Sequence, residues 1–109
     1  MTTAQPEKKT RRQKLEAFVQ SNPGDAFGRY GLAVECANEG DADAAISHFE
    51  KLLADHPTYV TGYFQFGQFL ARISQIEKAR DTLTAGIAAA SRIGDHHAAE
   101  EMQAALSQL

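Results

Sequence analysis

From Arg11 onward the chain alternates between stretches in which large apolar residues recur every three or four positions and short polar breaks. That spacing places apolar side chains along one face of an α-helix. Tyr63, Phe66, Gly67 and Leu70 form the clearest stripe, while Phe64 and Phe69 fall off it, which predicts a central helix buried on two sides. The breaks are Asn22-Pro23-Gly24-Asp25, Gly40-Asp41, His56-Pro57-Thr58, Ser74 and Gly94-Asp95. Pro23 and Pro57 lack an N–H and clash with the preceding turn, so no helix continues through them. Gly40 and Gly94 suit the left-handed turn after a helix, and Asp41 and Asp95 suit the cap of the next one. Ser74 with Glu77 reads as a capping box. The pattern thus predicts an all-α chain of about six helices, over 11–21, 25–39, 42–55, 59–73, 75–92 and 95–107. Connections this short set neighbouring helices antiparallel. Met102, Ala105, Leu106 and Leu109 form one narrow stripe with Glu100, Glu101 and Gln103 outside it, as befits a closing helix with one face in water.

The helices repeat. Pro23 and Pro57 are 34 apart in the sequence, as are Gly28 and Gly62, Ala37 and Ala71, and Ala45 and Ala79. Leu15, Phe49 and Leu83 make a threefold series at the same interval, and so do Val19, Leu53 and Ile87. A fixed period with helix breaks in phase is the signature of a stacked array. In 60–93 the recurring slots hold Tyr63, Phe66, Gly67, Leu70, Ala79, Leu83 and Gly86; in 26–59 they hold Arg29, Leu32, Ala33, Cys36, Ala45, Phe49, Leu52 and Pro57. In 11–24 only the slots of a second helix are filled, by Leu15, Phe18 and Pro23. On these residues the chain resembles the tetratricopeptide repeat (TPR), a 34-residue helix–turn–helix. The resemblance implies a right-handed solenoid of antiparallel helix pairs. A polar, basic and disordered tail (1–10) would precede a domain over 11–109. That domain would comprise a half repeat (11–24), two repeats (25–59 and 60–93) and a capping helix (94–109). Two departures matter. Arg29 stands in an aromatic slot, which loosens the first repeat, and Ser91 replaces the closing Pro, which lets the fifth helix run on to about Ile93.

Charge narrows the function. Residues 1–14 carry five bases against one acid, and the remainder six bases against 13 acids. A domain that acidic repels phosphate backbones, so nucleic acid is not an expected partner. The basic run Lys8, Lys9, Arg11, Arg12 and Lys14 reads as a solvated tail or a helix start. One cysteine, Cys36, allows no intrachain disulfide, and no long apolar run suggests a signal peptide or a membrane span. A cytoplasmic protein is expected.

Candidate chemistry is thin. Cys36 and His48 could be imagined as nucleophile and base, but Cys36 occupies a core slot and no third orienting group is evident. His96 and His97 are adjacent, and adjacent helical residues point about 100° apart, which suits no shared metal. Glu100-Glu101 and Asp41 with Asp43 sit at helix starts, where acids are favoured electrostatically. No catalytic residue, metal site or cofactor is expected. What the resemblance implies instead is a concave wall of first-helix positions that avoid the core. Those positions are Phe27, Tyr30, Val34 and Asn38, then Thr61, Phe64, Gln65, Gln68 and Arg72. Tyr30 and Phe64 are separated by one period and should line up there, and exposed aromatics are typical of binding hot spots. The family's groove for chaperone C-terminal carboxylates uses Lys and Asn on this wall. Tyr30, Val34 and Gln65 stand in those slots, which weighs against that ligand. The expected function is a protein-interaction module that holds a peptide or helix of a partner. Weak homodimerisation through the wall aromatics Phe27, Tyr30 and Phe64 is a further expectation.

Overall fold

The computed structural model describes residues 8–109 and places six helices in chain order: α1 (Arg11–Ser21), α2 (Ala26–Glu39), α3 (Ala42–Asp55), α4 (Val60–Arg72), α5 (Ile76–Ile93) and α6 (His96–Ser107). Most of the tail expected to be disordered lies outside the described residues. Lys8, Lys9 and Thr10 are exposed, and Thr10 caps α1 in a reciprocal box with Gln13. Its hydroxyl accepts from the Gln13 amide at 3.1 Å, and the Gln13 side chain accepts from the Thr10 amide at 2.9 Å.

The helices pack as sequential antiparallel pairs, with α2 on α3 and α4 on α5, while α1 and α6 flank them. The first helices of successive pairs also touch, α2 with α4 and α4 with α6. The result is elongated, 61 × 28 × 19 Å. Two apolar clusters run through it and meet at α4. One joins Val19, Leu32, Cys36, Phe49, Phe66 and Phe69 across α1 to α4; the other joins Val60, Leu83, Ala90 and Met102 across α4 to α6. Phe69, off the main stripe of α4, is as buried as Phe66, so this helix is apolar on two sides because both sides are covered. The rings of Phe49 and Phe66 stack with centroids 5.0 Å apart and planes 13° apart. Close approach within the second pair depends on absent side chains. A β-carbon added at Gly67 would meet Leu83 Cδ2 at 2.6 Å, and one at Gly86 would meet Tyr63 Cβ at 2.5 Å.

Three turns share one hydrogen-bond pattern but not one sequence. After α2, the Gly40 amide donates to Ala37 O and the Asp41 amide to Cys36 O; after α5, Gly94 and Asp95 repeat this with Ser91 O and Ala90 O. Both glycines are left-handed, at φ 81° and 77°, and both aspartates cap the following helix. After α4 the same bonds are made by Ser74 to Ala71 O and Gln75 to Leu70 O. Ser74 therefore does not form the expected capping box. It lies one repeat period beyond Gly40, takes the glycine's role at φ 65°, and Gln75 precedes α5 without a side-chain cap bond. A β-carbon is disfavoured in the left-handed region because it crowds the carbonyl oxygen. α5 does run to Ile93, as expected where Ser91 replaces Pro.

Phe49→Ala and Phe66→Ala should each cost about 3–5 kcal/mol in chemical denaturation, since each empties a buried aromatic slot. Ser74→Gly should raise stability by about 1 kcal/mol, by relieving a left-handed side chain. Adding Gln75→Asp should contribute about 1 kcal/mol more through the missing cap. A destabilised Ser74→Gly would mean that the serine side chain supports the turn.

Candidate functional site

Six of the nine wall residues line two separate depressions rather than one. The first lies between α1 and α2, holds about 370 Å³, and takes in Phe27, Tyr30, Val34 and Asn38 together with Arg11, Leu15 and Phe18. The second lies between α4, the start of α5 and the end of α6 and holds about 660 Å³. Gln68 and Arg72 stand on its lining above Gly67, Ala71, Ile76, Leu83, Ala105 and Leu109. Thr61, Phe64 and Gln65 line neither. Phe64 is half-buried against the cluster formed by α5 and α6. Tyr30 is half-buried as well, its ring 5.5 Å from that of Tyr59, and burial followed by the neighbouring Tyr59 pushes its phenol up. The wall aromatic that stands in solvent is Phe27, 76% exposed.

Phe18 departs from its place in the pattern. It fills a core slot of the half repeat, yet it is 46% exposed and lines the same depression as Phe27. Among the described residues no helix precedes α1, and the inner face of this second-type helix is left partly uncovered. Ile76, Ala105 and Leu109 of the larger depression escape sequence reasoning too, because they come from the start of α5, from α6 and from the residues after it, outside the repeat's first-helix positions.

The basic run, expected to be a solvated tail or a helix start, supplies the first turn of α1, and two of its arginines are paired there. The Arg12 guanidinium reaches Asp41 at 2.9 Å, Glu39 at 3.1 Å and Glu16 at 3.4 Å, and these partners push its pKa up. The bond from Arg12 in turn holds the Asp41 carboxyl below the usual range. Arg11 pairs with Glu35 at 3.2 Å. These two arginines therefore fasten α1 to the acidic ends and faces of α2 and α3, a longer-range pairing that no local spacing reveals.

Cys36 is wholly buried, and burial pushes its thiol up, the reverse of what a nucleophile needs. His48 has its Nδ1 within 3.2 Å of the Arg29 guanidinium, and its pKa is lowered by burial and then by that cation. Arg29, the departure in the aromatic slot, is thus tied to α3. His97 pairs with Glu101 at 2.9 Å on the outer face of α6. Among the described residues, no group of three or more His, Cys, Asp or Glu is placed to hold a metal ion, and no helix is long and apolar enough to cross a membrane.

Stacked antiparallel pairs, a regular repeat period and a surface of apolar depressions with polar rims define a helical-repeat scaffold. The sequence pattern of the tetratricopeptide repeat family matches residues 37–109, and the chain belongs to that family. It is 28% identical over 95 residues to the TPR repeat-containing protein PA0015 of Pseudomonas aeruginosa, covering 87% of this chain and 90% of that one. Protein BPP2914 of Bordetella parapertussis superposes with a TM-score of 0.78 at 27% identity, over 93% of this chain and 88% of that one. A tetratricopeptide repeat domain protein of Salinibacter ruber, solved by NMR, gives 0.74 at 34% identity, over 79% and 87%. The family is typically non-catalytic and generally serves protein interaction.

Cys36→Ala should leave any binding readout intact and cost only modest stability. In the native protein, thiol-reactive probes should label Cys36 slowly, and at the rate of an ordinary thiol only after denaturation. Rapid native labelling would contradict the buried, raised thiol.

Proposed function

We propose that the chain is a non-catalytic protein-interaction module that holds a peptide or short helix of another protein, in the cytoplasm, along the wall from Phe27 to Arg72. The observation that carries this reading is the larger depression. It is broad and apolar-floored, formed where α4, α5 and α6 meet, and edged by polar side chains able to orient a ligand. Gly67 and Ala71 keep its floor low. Arg72 sits at its mouth with its guanidinium 5.7 Å from the Phe69 ring centroid, a stacked placement that leaves its donors available to a partner's acid or main-chain carbonyl. The upstream part of the wall, with Phe27, Tyr30, Val34 and Asn38, extends the surface toward α1. The buried thiol and the engaged His48 support the non-catalytic part of the reading.

The test uses affinity capture from the source lysate, with wild type and an Ala71→Arg/Arg72→Glu variant side by side. Ala71 lines the depression and is half-buried, so the variant should fill the floor and reverse the rim charge with the helix retained, as circular dichroism would check. A protein retained by wild type and lost from the folded variant is the expected result. Equal retention by both, or no retained protein at all, would overturn the reading.

A further inference from the structure

We propose that the contact between Arg29 of α2 and His48 of α3 is an acid-labile joint, so that one proton taken up by His48 loosens the first repeat and leaves the second as it was. The hydrogen-bond chemistry carries this. His48 Nδ1 lies 3.2 Å from the Arg29 guanidinium. A guanidinium can only donate, so the ring nitrogen must accept, and it accepts only while it carries no proton. The resting joint therefore holds a neutral imidazole with its hydrogen on Nε2. A proton on Nδ1 removes the acceptor and sets two cations against each other at that distance. Both residues are half-buried, so water screens them only in part.

The surroundings leave the added charge poorly compensated. From α1, Arg12 and Glu16 face His48, and Asp41 faces it from the turn before α3. Both acids are already engaged, since Arg12 holds Asp41 at 2.9 Å and Glu16 at 3.4 Å. On α3 itself Lys51 pairs with Asp55 at 3.0 Å. α4, which packs on α3 from the other side, holds one charged residue, Arg72. Among the described residues neither Arg29 nor His48 makes an ion pair with a carboxylate. Burial first, then Arg29 and Arg12, lower the His48 pKa, and the two acids offset this in part. His97 is the contrast: its ring faces Glu101 at 2.9 Å, so a proton there joins rather than separates. One repeat period after Arg29 and His48 stand Tyr63 and Thr82, so the joint is not repeated in the second pair. α2 also carries the upstream part of the wall, but the joint stands whether or not that wall binds a peptide.

The folded chain resists a proton that the unfolded chain accepts. Stability from this joint is therefore full above about pH 6.5, the unfolded value, and is lost as pH falls toward the lower folded value. Ring NMR titration of the full chain tests this in wild type, Arg29→Gln and His48→Asn. The ring signal absent from His48→Asn should titrate below about pH 6.5 in wild type and at higher pH in Arg29→Gln. Backbone amides that follow it should lie on α2 and α3, not on α5. Asn offers an oxygen acceptor near the place of Nδ1 and does not titrate. In urea the wild-type midpoint should therefore fall between about pH 7.5 and about pH 5 by more than that of His48→Asn. If His48→Asn folds too weakly for that comparison, Arg29→Gln takes its place, and its fall should also be the smaller. A ring that titrates at or above the ordinary histidine value, an unmoved titration in Arg29→Gln, or equal falls in wild type and variant would each overturn the proposal.

Discussion

The stacked rings of Phe49 and Phe66 are the contact through which the two complete repeats hold one another. Each helix pair has an apolar face it cannot bury alone, and α3 and α4 touch over less of their length than the helices within either pair. A flat aromatic contact suits that join, because two large rings bury much area over a short span and tolerate little sliding. Leu32, Leu52, Phe69 and Leu70 then close around it in the larger cluster. The stack thus sets how the two helix pairs lie against each other, with one depression on either side of the join.

The outer helices are held by different forces. α6 rests on α5 through Met102, whose sulfur lies against the space left by Gly86. α1 has one buried side chain, Val19, and is further secured by Leu15 and Phe18 packed against Gly31 and Gly28 of α2 and by the reach of Arg11 and Arg12 into the acids of α2 and α3. Ion pairs with exposed partners hold weakly and are screened by salt. The N-terminal helix is therefore tied by charge as well as packing, where the C-terminal one is tied by packing.

The helices and their period are legible in the sequence because each break carries its own chemistry: Pro23 and Pro57 forbid a helix, and Gly40 and Gly94 complete the turns that end one. Ser74 misleads for the same reason. Its side chain suggests a cap by local rules, and only its place one period after Gly40 assigns it to the left-handed turn. The surface is less legible than the core. Tyr30 and Phe64 occupy equivalent positions in the repeat, but Tyr59 covers one and the α5–α6 cluster covers the other, and neither neighbour follows from periodicity. Phe18 shows the converse, an apolar residue in a core register that the described helices cover only in part. The grip of Arg12 on Glu39 and Asp41 needs three-dimensional proximity that no spacing encodes.

The chemical inequality of the two ends gives the molecule a direction of growth. Another repeat placed ahead of Arg11 would find Leu15, Phe18 and Phe27 already apolar and waiting for a helix to rest on them. A repeat placed after α6 would have to bury the Glu100 and Glu101 side and the His97–Glu101 pair, at a desolvation cost the upstream face does not carry. An added repeat would therefore meet an apolar face upstream, whereas extension downstream would require a different surface on α6.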